Sequence, residues 1–83
     1  MTESLGERMR RHRAEFERIR SVITRVDPDE PLTAREILEL LKEHGEEFES
    51  AHQIATILGR EAETSDTVEI ISDQPYRYRI TSK

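Results

Sequence analysis

The chain has 83 residues, no cysteine, thirteen Lys plus Arg against eighteen Asp plus Glu, and a formal net charge of -5. That length suits one small domain, residues 1–83, and the lack of thiols excludes a disulfide framework, a thiolate zinc site and a thiol nucleophile. The opening MTESLGERMRRHR has no apolar signal core, and no stretch approaches the roughly 20 apolar residues of a membrane span, so a soluble, cytoplasmic protein is expected.

In chain order, Leu5, Met9, His12, Phe16, Ile19, Ile23 and Val26 are spaced 4, 3, 4, 3, 4, 3. This spacing predicts a first helix over 5–26 with one apolar stripe. Ser4 and Glu7 form a capping box at its start, and Asp27-Pro28 supplies the stop. DPDEP is a loop. Thr33 and Glu36 repeat the capping box ahead of Ala34, Ile37, Leu38 and Leu41, giving a second helix over about 34–44 that ends at Gly45.

After the acidic turn EEFE, Ser50 and Gln53 make a third capping box, opening a helix over about 51–60. Its wheel buries Ala51, Ile54, Ala55 and Leu58, with Ile57 at the edge, and turns His52, Gln53, Thr56 and Arg60 outward. From residue 67 the period changes from helix to strand. TVEIIS and YRYRI alternate around Asp73-Gln74-Pro75, which predicts a two-stranded hairpin over about 67–81. Arg77 and Arg79 then share one strand face, while Tyr76 and Tyr78 pack on the other.

Charge is unevenly placed. Residues 1–26 hold seven Arg against four Glu, net +3; residues 27–66 hold three basic against twelve acidic, net -9; residues 67–83 are net +1. Within the acidic middle, residues 50–60 contain no carboxylate at all. Gln, Arg, Thr and His are side chains that bind base edges or phosphates, so this acid-free outer face is suited to DNA. The eleven Arg against two Lys, with the acidic excess, resemble proteins of salt-accumulating halophilic archaea. In such a cytoplasm concentrated salt screens self-repulsion, and the net charge reports habitat rather than partner.

The order helix, helix, helix, hairpin, with PLTAREILELLKEHGEEFESAHQIATIL at its centre, resembles a winged-helix domain. "LTAREIL" opening the second helix, a short turn and a Ser-capped third helix look like the DNA-binding half of ferric-uptake-type regulators and other winged-helix repressors. The resemblance implies an α+β, mostly α, fold whose third helix enters the major groove while the hairpin wing touches the backbone. It implies a transcription regulator that contacts DNA through His52, Gln53, Thr56, Arg60, Arg77 and Arg79. The metal site of ferric-uptake-type proteins is not carried over, because His12, His44 and His52 have no paired spacing; neither metal nor cofactor is expected.

Leu5, Met9, His12 and Phe16 extend the stripe beyond what a three-helix core needs, which suggests a homodimer through the first helix. Arg8, Arg10 and Arg13 are further backbone-contact candidates. No catalytic function is expected: Ser50 and His52 are neighbours with no orienting acid, and glycines at 6, 45 and 59 form no phosphate loop. The alternative is a winged-helix module that binds protein through the wing or first helix, without DNA.

Overall fold

A computed structural model describes the backbone of residues 5–81 and the side chains of 13–81. Among these residues the chain forms α1 (Leu5–Val26), β1 (Leu32–Thr33), α2 (Ala34–Glu43), α3 (Ala51–Thr64), β2 (Val68–Ile71) and β3 (Arg77–Ile80). The strands make one antiparallel sheet of order β1-β3-β2. The fold is α+β and mostly helical. The expected two-stranded hairpin is therefore a three-stranded sheet, because Leu32 and Thr33 pair with Tyr78 and Arg77 before the chain turns into α2. No helix of the described residues is long and apolar enough to cross a membrane.

The apolar spacing of α1 becomes packing in its second half, where Phe16, Ile19, Val22 and Ile23 enter the core. They meet Ile37 and Leu41 of α2, Ile54, Ile57 and Leu58 of α3, and Val68 and Tyr78 of the sheet. Burying each large aliphatic or aromatic side chain contributes about 1.5–3 kcal/mol, which a short chain spends against its conformational entropy. The Ser4–Glu7 start of α1 lies outside the described residues. Its end does not rest on proline alone: Asp27 adopts φ 51° and donates its N–H to Ile23 O at 2.8 Å, a left-handed cap in the place where glycine is usual.

α2 starts with both halves of its capping box. Thr33 Oγ1 accepts from Glu36 N at 3.1 Å, and Glu36 Oε1 accepts from Thr33 N at 2.8 Å. Those two bonds satisfy donors that a helix start otherwise leaves open. They also hold the Glu36 carboxyl below the usual carboxylate range: the Thr33 backbone N–H is the main cause, and Arg77 adds to it. Gly45, at φ 80°, closes the helix in the left-handed conformation glycine tolerates.

α3 runs four residues past the expected end at 60. Glu61 is only 7% exposed and continues the buried stripe of Ile54, Ile57 and Leu58. Ser65 Oγ donates to its carboxylate at 3.3 Å. Ile57, expected at the edge, is 4% exposed, whereas Ala51 and Ala55 are only partly covered.

Candidate nucleic-acid interface

Ser50 caps α3 as expected, its Oγ accepting from Gln53 N at 3.2 Å. The reciprocal bond shifts by one residue: Gln53 Oε1 accepts from Glu49 N at 2.7 Å rather than from the cap itself. Gln53 Nε2 then donates to Glu15 Oε2 at 3.0 Å, tying the start of α3 to α1. Both ends of the Gln53 amide are thus engaged inside the chain, each keeping one further hydrogen-bonding position. A bidentate adenine contact would have to be made in the orientation these two bonds fix or at the cost of breaking them, one of them charge-assisted.

The remaining outward residues of α3 form a stripe at helical spacing: His52, Thr56 and Arg60 are exposed, followed one turn later by Glu63. Thr56 Oγ1 donates to His52 O at 3.0 Å, which commits its proton to the helix backbone and leaves the oxygen able to accept. Arg60 makes no ion pair or hydrogen bond through its side chain among the described residues. Arg13, Arg25, Arg35 and Lys42 are likewise unpaired among the described residues, whereas two arginines of α1 are engaged. Arg18 Nε lies 2.9 Å from Glu46 Oε1 and its guanidinium sits 4.9 Å over the Phe48 ring, while Arg20 pairs with Glu17 at 3.3 Å.

On the sheet, Arg77 and Arg79 share the outer face but differ in freedom. Arg77 Nη1 donates to Pro31 O at 3.1 Å and lies 3.7 Å from Glu36 Oε1, and its Nε lies 3.6 Å from Asp73 Oδ2. It clamps the entry of α2 to the start of β3. Arg79 faces Glu69 across the strand pair at 3.7 Å, in an exposed contact. Such pairs contribute little and exchange readily, so Arg79 remains available to an anion.

Tyr78 packs into the core, and burial first, then neighbouring Tyr76, raises its ionisation above the usual 10. Tyr76 does not pack as expected: it is 57% exposed at the loop end of β3. Ile70, opposite Tyr78 on the same sheet face, is 38% exposed. Ile70 sits on the edge strand β2, so it is partly open to solvent although alternation places it with Val68 and Tyr78.

Of the residues expected to contact DNA, the structure aligns His52, Thr56 and Arg60, and commits Gln53 and Arg77 to internal bonds. Among the residues expected at a helix-mediated dimer interface, Phe16 is corrected: it is 2% exposed in the chain's own core and has no surface left for a partner. The side chains of Leu5, Met9 and His12, with those of Arg8 and Arg10, lie outside the described residues. Arg13 is exposed. Among the described residues no cluster of three His, Asp or Glu side chains could hold a metal ion. Comparisons with protein-family models, curated proteins and solved structures find no match for the chain.

Proposed function

We propose that the chain is a winged-helix DNA-binding protein that acts as a transcription regulator, with α3 in the major groove and the β2–β3 hairpin as the wing. The observation that carries the reading is the outward stripe of α3. His52, Thr56 and Arg60 present no carboxylate within a segment of net charge -9, and Arg60 has no ionic partner among the described residues. Arg60 is the principal contact, to guanine or a phosphate. Thr56 and His52 read the neighbouring base edges, and Arg79 exchanges Glu69 for a backbone phosphate. Gln53 and Arg77 hold α3 and the wing in position and do not touch DNA. Glu63 marks the end of the contact.

At high salt, counterion release supplies little affinity, so recognition of this kind depends on hydrogen bonds and shape. The test is titration of genomic fragments in concentrated potassium chloride with wild type and Arg60→Ala. Sequence-selective binding that Arg60→Ala weakens supports the reading; no selective binding by wild type at any salt concentration removes it. A homodimer through α1 remains a proposal resting on Leu5, Met9 and His12.

A second reading, a winged-helix module that binds protein, is favoured by the wing. Tyr76 and Ile70 are exposed there, and each wing arginine faces an acid. Loss of a protein partner on Tyr76→Ser, with DNA binding absent, would select it.

A further inference from the structure

The two edges of the sheet are unequally protected. β1 is two residues long, follows Pro31 and runs directly into α2, so it offers almost no free ladder. β2 is four residues long and carries no proline, lysine or glycine. Its single charge, Glu69, lies 3.7 Å from Arg79 on the neighbouring strand in an exposed contact. Natural sheets guard an edge with short length, proline or charge; β1 has the first two, and β2 has only the charge of Glu69.

Hydrogen-bond parity determines what the β2 edge presents. The register pairs Val68 with Ile80, Glu69 with Arg79 and Ile70 with Tyr78, and by extension Thr67 with Thr81. Thr81 N donates to Thr67 O at 2.8 Å, so residues 67, 69 and 71 point their backbone groups toward β3. Val68 and Ile70 therefore direct N–H and C=O outward at the free edge.

We propose that this edge pairs with the β2 edge of a second copy of the chain, antiparallel about a two-fold axis at Ile70, making one continuous six-stranded sheet. Charge excludes one register. An axis at Glu69 would set two glutamates directly opposite each other, which is destabilising. Centred on Ile70, each Glu69 faces Ile71 of the other copy, and Ile70 exchanges both backbone bonds with its own counterpart. The partly exposed inner face at Ile70 leaves room for the second isoleucine. The match is self-complementary, as an isologous contact requires. A short strand pair buries less than a standard interface, so the dimer is weak and concentration-dependent. This interface uses none of the α1 stripe.

The cysteine-free chain makes the test direct. A hydrogen-bonded antiparallel pair places its Cα atoms about 5.5 Å apart, within disulfide range. Ile70→Cys, Ile71→Cys, Glu69→Cys and Met9→Cys are each oxidised under mild conditions, with circular dichroism checking the fold. Ile70→Cys is expected to form a covalent dimer at least tenfold faster than the other three. Equal rates, or fastest coupling at position 69 or 9, would overturn the proposal.

Amide exchange on the unmutated protein gives a second readout that needs no substitution. Protection of the Ile70 N–H is expected to rise at least tenfold between micromolar and millimolar protein. Protection independent of concentration would equally overturn the pairing.

Discussion

Replacing Gln53 with alanine separates a reading residue from a positioning one. The substitution removes the bond from Glu49 N at 2.7 Å and the bond to the Glu15 carboxylate at 3.0 Å, and leaves the Ser50 cap intact. The first is exposed and neutral, contributing about 0.5 kcal/mol; the second is partly buried and charge-assisted, contributing about 1.5 kcal/mol. Alanine's better helix propensity returns a few tenths of a kcal/mol. The net loss is about 1.5–2 kcal/mol, which lowers Tm by roughly 10 °C in a domain of this size. Thermal unfolding by circular dichroism in concentrated potassium chloride measures it. A cycle with Glu15→Ala isolates the pair, with an expected coupling of about 1 kcal/mol. At a temperature well below either midpoint, DNA affinity is expected to stay within twofold of wild type. An unchanged Tm together with a tenfold or larger loss of affinity would refute the assignment and return Gln53 to the contact surface.

Three further outcomes follow from the fold. Asp27→Gly relieves a left-handed non-glycine residue and is expected to stabilise by about 0.5–1 kcal/mol, read as a higher Tm; a lower Tm would mean that the Asp27 side chain supports the turn. Glu36 has a lowered carboxyl pKa, so the stability it contributes is complete above about pH 4.5 and is lost as pH falls through the folded value. Glu36→Gln should therefore unfold less steeply on acidification than wild type, and an identical acid profile would contradict the Thr33–Glu36 linkage. Phe16→Ala is expected to cost about 3–5 kcal/mol at every protein concentration, whereas a dimer contact would cost less as the protein is diluted.

The helices were legible because their signals are local. The stripe from Leu5 to Val26 gives the end of α1, and Thr33 with Glu36 marks the start of α2 to the residue. α3 outran its expected end because Glu61 is a charged residue at a buried position, held by neighbours that hydropathy does not reveal. β1 is two residues long, too short for any period, and exists only because β3 returns to pair with it. The candidate contact face divides in the same way. Exposure of His52, Thr56 and Arg60 follows from helical spacing, but the partners of Gln53 and Arg77 lie 38 and 46 residues away, at Glu15 and Pro31. Strand alternation correctly puts Tyr78 in the core and fails for Tyr76, which precedes the first residue of β3 and is exposed.

Arg60 tests the central claim most directly, since it is exposed, lacks an ionic partner among the described residues, and can be removed at a stability cost within about 0.5 kcal/mol. Wild type and Arg60→Ala are titrated with selected genomic duplexes in concentrated potassium chloride, with the fold of each monitored alongside. The DNA-binding account predicts sequence-selective binding by wild type and a loss of about 1–3 kcal/mol, roughly five- to 150-fold, in the variant. Selective binding that is indifferent to Arg60, or none by the folded wild type at any salt concentration, would contradict it.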